Sequence, residues 1–130
     1  MKFLTTTLAR CLFAASFFIF GVWHIFSAAS AAGMLPNWLP GGSLWVYLTG
    51  ICFAFGGVSI FTQKNTQVAC NVLAAVLTFS ILLIHMPHML NPDLQATTIA
   101  TLLRDVGLLG AVLTWSGIPT MTPGAARRKA

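Results

Sequence analysis

Four apolar runs, over residues 11–29, 44–61, 68–86 and 96–115, dominate this chain and restrict the folds open to it. Each approaches the ~20 residues that an α-helix needs to cross a hydrocarbon core about 30 Å thick. Within lipid every backbone N–H and C=O must be satisfied inside the segment or a closed barrel, so runs of this length predict helices. Charged residues make up only 7% of the chain against 57% hydrophobic, and mean hydropathy is +0.84. A water-soluble domain needs far more polar surface. The 130 residues are therefore expected to form one all-α domain, an integral membrane bundle of four transmembrane helices whose first partner is the lipid bilayer.

The breaks between the runs carry turn chemistry. Pro36, Pro40, Gly41 and Gly42 interrupt the first connection, Gln63-Lys64-Asn65 forms the second, and Pro87 with Asn91-Pro92-Asp93 forms the third. Asn91 suits a helix N-cap, Pro92 the first helical position, and Asp93 the positive end of the helix dipole. Lys2, Arg10, Lys64, Arg127, Arg128 and Lys129 all fall on the side shared by both termini and the middle loop, and the other two loops contain no Lys or Arg. Basic residues mark the cytoplasmic face, so both termini are expected in the cytoplasm. The net charge of +5 is thus explained by topology, and scattered cations of this kind do not make a nucleic-acid surface. Trp38 and Trp45 suit an outer interfacial belt. In a rival reading, Lys2, the first apolar run and Ala29-Ser30-Ala31 form a cleavable secretory signal, which would leave three spans. The run is longer than a usual signal core and carries Trp23-His24 near its end. Cys11, Cys52 and Cys70 form no C-x-x-C pair and read as small buried residues.

Helices in lipid associate through small and polar residues. At helical spacing the candidate faces are Ala14, Phe17, Gly21, His24 and Ala28 in the first span and Gly50, Ala54 and Gly57 in the second. The third offers Asn71, Ala75, Thr78, Leu82 and His85, and the fourth Ala100, Arg104, Gly107, Ala111 and Thr114.

Arg104 and Asp105 are the costly residues, because an ionised side chain among lipid costs from ~2.5 to above 10 kcal/mol. Arg104 lies some eight residues into the fourth span, about 12 Å deep at 1.5 Å per residue. Neighbours in sequence point about 100° apart, so the two are expected to find partners on other helices rather than in each other. His24, Asn37, His85 and His88 are the polar groups toward the outer side. One reading is a hydrogen-bonded plug that fixes helix register. The other is a pocket opening toward the outer leaflet, with Arg104 donating to a carbonyl or anionic head group and His and Asp105 handling protons. Quinones, whose carbonyls take up protons on reduction, suit such a site. The run His85-Met86-Pro87-His88-Met89, with Met34 across the outer face, also presents ligand types that suit Cu(I), although flexible methionines are ordinary gap fillers. There is no Gly-rich phosphate loop, no pair of facing mid-membrane histidines for haem, and no nucleophile beside a base. The chain reads as a subunit without a cofactor of its own rather than as a self-contained enzyme.

Several motifs resemble the DoxX family of small bacterial four-helix membrane proteins over nearly the whole length. They are Gly21-Val22-Trp23-His24, the stretch from Gly50 to Gly57, His85, Arg104-Asp105-Val106-Gly107-Leu108-Leu109-Gly110-Ala111, and the Pro123-Gly124 basic tail. The resemblance implies an inner-membrane protein, and some relatives belong to oxidoreductase assemblies that include quinone-linked thiosulfate oxidation. Members commonly carry lysine where His24 stands and an acidic residue about where Phe53 stands, so Asp105 is left to balance Arg104. Three roles follow: a membrane subunit of a redox or quinone-linked system beside a partner oxidoreductase subunit, a scaffold or homo-oligomer without activity, and a carrier of a lipid-like or metal ligand.

Overall fold

The computed structural model describes residues 4–35, 37–90, 92 and 95–117, and each apolar run is almost wholly helical. A wide π turn at Leu4–Leu8 leads into α1 (Ala9–Phe26), which is followed by the short offset helix α2 (Ala28–Ala32). Then come α3 (Ser43–Thr62) and α4 (Thr66–Ser80), the latter prolonged by a second π turn at Ile81–His85 and by α5 (Met86–His88). Helix α6 (Gln95–Gly117) is the last element among the described residues. Four stretches, Thr5–Phe26, Ser43–Thr62, Thr66–His88 and Ala96–Gly117, are long and apolar enough to cross a membrane. The chain is accordingly an all-α, multi-pass membrane protein.

Local chemistry sets the boundaries. The first span ends at Phe26 rather than near residue 29, because Ser27 leaves helical geometry (φ −95°, ψ 10°) and turns its hydroxyl back onto the Trp23 carbonyl at 2.7 Å. Gln63 and Asn65 both adopt left-handed backbone (φ 58° and 53°), which reverses the chain in three residues between α3 and α4. Polar side chains tolerate that conformation better than branched ones. Pro87 does not end the third span as expected; helix continues through His88. Proline has no N–H to donate and crowds the preceding turn, and the wide turn just before it absorbs both effects. Asn91, Asp93, Lys2, Arg127, Arg128 and Lys129, on which the capping and topology expectations drew, lie outside the described residues.

Helices α1 and α3 touch backbone to backbone. A Cβ added at Gly21 would stand 2.6 Å from the Gly50 carbonyl oxygen, and one at Gly57 would stand 2.7 Å from the carbonyl oxygen of Ala14. The small-residue faces expected for the first two spans are therefore the ones used: Ala14, Phe17, Gly21, Ala28, Gly50 and Gly57 are all buried. The expected faces of the other two spans are corrected. In α4 the residues that turn inward are Cys70, Leu73 and Leu77, while Asn71, Ala75 and Thr78 are exposed. The room comes from α3, where Gly56 leaves a hollow that the Leu73 side chain fills. In α6 the buried line is Thr98, Asp105 and Val112, and Ala100, Arg104, Gly107 and Thr114 are exposed.

Phe17, Phe53, Ile60, Leu73, Leu77 and Val112 make the fully buried centre. The outward faces are no more polar, with Leu12, Ile19, Phe26, Phe55 and Leu103 each well exposed. An apolar exterior around a core that also holds charged groups suits lipid as the surrounding solvent. At one end of the bundle the Phe13 and Trp115 rings stack at 5.9 Å and join the start of α1 to the end of α6. The other end, where α1 and α4 finish and α3 and α6 begin, is hollow.

Candidate functional site

The π turn at Ile81–His85 decides where His85 points. Over eight residues an uninterrupted α-helix turns through about 800°, which would leave His85 roughly 80° away from the buried face of Leu77. One extra residue accommodated in a wide turn cancels most of that rotation. The Met86 N–H closes this turn on the Ile81 carbonyl five residues back. His85 consequently faces inward and is buried, and its Nδ1 lies 3.1 Å from the Ser80 carbonyl.

Across from it stands Asp105 on α6, whose side chain is only 5% exposed. Its Oδ1 accepts from Arg104 Nε at 2.9 Å, and its Oδ2 lies 3.6 Å from His85 Nε2. The expectation that adjacent Arg104 and Asp105 do not satisfy each other is thus overturned. The long arginine side chain folds back along the helix and uses Nε, the donor nearest its root, so their 100° divergence is bridged. The second distance exceeds a hydrogen bond and is an ion-pair contact when the imidazole is protonated. The guanidinium carbon lies 4.5 Å from the centre of the Phe20 ring, in cation–π geometry. The Nη groups have no hydrogen-bond partner among the described residues.

The other two histidines are anchored in the same way. His24 Nδ1 lies 3.0 Å from the Phe20 carbonyl and His88 Nδ1 lies 2.7 Å from the Ile84 carbonyl. A carbonyl can only accept, so in all three rings Nδ1 carries the hydrogen and Nε2 remains for another partner. The His24 ring also meets Phe20 and Phe53 edge-on, at 4.3 and 5.6 Å between centroids. Position 53, where the family resemblance places an acidic residue, therefore lies directly against position 24.

These side chains share one cavity. A hollow of about 690 Å³ at the open end of the bundle is lined by His24, His85, His88, Arg104 and Asp105 together. Its walls are mostly apolar and aromatic, including Phe20, Trp23, Trp45, Phe53 and Phe79, and Met34 reaches it from the loop after α2. Asn37 does not join them; it is an exposed loop residue away from the lining. Of the thioether and imidazole set, His85 and His88 line the cavity, Met86 is exposed, and Met89 is outside the lining. No group of three His, Cys, Asp or Glu side chains is arranged to hold a metal ion among the described residues.

Sequence reasoning missed the aromatic walls and the threonines Thr98 and Thr101 that line the hollow on α6. Trp45 was expected only as an interfacial anchor. It donates Nε1–H to the Pro40 carbonyl at 2.7 Å, stacks on Phe79 at 5.5 Å and closes one side of the cavity. The spacing of Phe20 and His24, one helical turn apart, is the signal that was present for part of this wall. Comparison with protein-family models, with curated proteins and with solved structures finds no match to this chain.

Proposed function

We propose that this chain is a DoxX-like membrane subunit of a redox or quinone-linked oxidoreductase system in a bacterial inner membrane, and that its cavity binds a quinone-like amphiphile. The observation that carries the reading is the shared lining: three histidines, an arginine and an aspartate from three separate spans converge on one largely apolar hollow of about 690 Å³. That volume falls in the usual range for small-molecule sites, which combine apolar walls with a few placed polar groups. The Arg104 Nη groups are available to donate to a ring carbonyl, and the Nε2 atoms of His24 and His88 are available to accept from a ring hydroxyl. Both the oxidised and the reduced head group find partners. Reduction of a quinone consumes two electrons and two protons. His85 and Asp105 are placed to pass protons, and the electrons are assigned to a partner oxidoreductase subunit. With cytoplasmic termini, as the basic residues direct, the cavity lies in the outer half of the membrane.

The test is binding of a decyl-substituted benzoquinone to the purified protein, wild type and with Arg104→Leu or His24→Phe. Loss of a hydrogen bond to a charged group corresponds to roughly 1.5–3 kcal/mol, so Arg104→Leu should weaken binding by about one to two powers of ten. His24→Phe keeps the ring packing and removes the acceptor, and it should weaken binding with folded yield unchanged. A wild-type protein that does not bind the probe sinks the reading. A scaffold role draws support from one observation: Arg104, Asp105 and His85 already contact one another across two helices. It predicts that these variants change folded yield and nothing else.

A further inference from the structure

A second, smaller hollow of about 190 Å³ is lined by Ser16, Phe17, Phe20, Arg104 and Leu108. It lies on the seam between α1 and α6, which meet through side chains at two levels. At one level Phe13 stacks on Trp115, and at the other Arg104 lies over Phe20. Between those contacts the seam is left unfilled. Phe20 and Arg104 line both hollows, so the stacked pair is the wall they share, and a shift of the half-exposed guanidinium is what would join them. Ser16 turns its hydroxyl onto the Leu12 carbonyl at 2.8 Å, which leaves the seam apolar apart from Arg104. Ser16 is exposed on the outward side, where lipid meets the helices.

We infer that this seam holds the hydrocarbon tail of a single-chain amphiphile whose head occupies the main cavity, with Arg104 as the residue at the junction. The inference rests on the head-group reading above and adds the route of the tail. Arg104 is well suited to the junction. Its Nε is held by Asp105 and its guanidinium lies over Phe20, so the side chain is fixed where it borders both hollows, with an aliphatic stem that suits an apolar neighbour and a charged end that suits a polar one. A ligand bound in this way enters sideways from the bilayer and never passes through water. Trp23 and Met34 line the main cavity and are themselves well exposed, so a tail leaving past them would run toward the membrane surface instead.

The experiment compares two probes in the full chain. One is a dimethoxy benzoquinone with a decyl chain, and the other is the same ring with methyl in place of decyl. Ser16→Phe and Leu108→Trp fill the seam from opposite walls. Each should weaken the decyl probe by about tenfold or more through direct clash and leave the methyl probe unchanged. A decyl probe carrying a diazirine near the root of its chain should label the peptides that hold Ser16 or Leu108. Unchanged binding of both probes in both variants overturns the tail route while the head site stands. Equal loss of both probes also overturns it, because the seam would then act on the head site. Labelling confined to the loop around Met34 overturns it as well. Failure of the decyl probe to bind the wild type removes the head-group reading and this inference together.

Discussion

Replacing Gly21 with alanine tests the contact that sets the whole site. The new Cβ would stand 2.6 Å from the Gly50 carbonyl oxygen, and the backbone nitrogen of Ala54 is closer still. Both obstacles are backbone atoms on a rigid helix, so no side chain can swing aside. Ordinary contact begins at 3.4 Å, and the nearer of the two obstacles requires α1 and α3 to part by about 1 Å over their shared length. Overpacking of this kind costs about 1–3 kcal/mol, and fixed backbone obstacles put this case at the upper end. Alanine returns at most ~1 kcal/mol through its better helix propensity, which leaves a net loss of about 2 kcal/mol. Gly107→Ala is the matched control, because a Cβ there meets nothing within 4 Å. It keeps the propensity gain alone. Reversible unfolding in mixed micelles, followed by circular dichroism, should move the two variants in opposite directions. His24 lies one turn beyond Gly21, so the first variant should also weaken quinone binding. If both variants shift stability the same way, the backbone contact is not what holds α1 to α3.

Other expectations concern the charges, the wide turn and the topology. Asp105→Asn leaves Arg104 without its counter-charge and should lower stability by about 2 kcal/mol, less than for a fully buried pair because the arginine is half exposed. Adding Arg104→Gln should recover part of that loss in a double-mutant cycle; strictly additive losses would show that the pair is not coupled. Pro87→Ala restores a backbone N–H and lets the third span tighten to regular α-helix. His85 should then turn away from Asp105 and quinone binding should fall at least about fivefold with folded yield retained, whereas unchanged binding would separate the wide turn from the site. For topology, Cys11, Cys52 and Cys70 are replaced by alanine, and single cysteines are placed at Ser30, Ser43 and Ala130. An impermeant maleimide added outside intact cells should label the first two, and outside labelling at position 130 would reverse the assigned orientation.

How far the site was legible depends on which physical signal each residue carried. The spans were plain, because unbroken apolar length has one main explanation. The α1–α3 contact was also plain, because glycines at Gly21, Gly50 and Gly57 have a steric use. The faces of the third and fourth spans were not. The rule that small and polar residues turn inward fails where a large residue enters a hollow made by its neighbour, as Leu73 does at Gly56. Hydroxyls misled in the same way. Thr78 and Thr114 satisfy themselves on the carbonyls of Ala74 and Gly110 at 2.8 and 2.9 Å, so they need no partner helix and can face outward. His85 was placed on the inner face for the wrong reason, since its stripe is exposed and only the extra residue in the π turn brings it inward. Helix-face geometry sets Arg104 and Asp105 apart because it ignores the reach of arginine, and so it misses their mutual bond.

That bond also bears on how the protein is made. A span carrying a lone arginine would have to find its counter-ion on a neighbour that had already been inserted. Here the cation and the carboxylate are consecutive residues of one helix, joined at 2.9 Å without help from any other element. The last span therefore leaves the insertion machinery with its formal charges already cancelled, and it can settle in lipid by itself before docking against α4. His85 is met only at that later stage. Assembly of the bundle then completes the site without having been required to rescue a stranded charge.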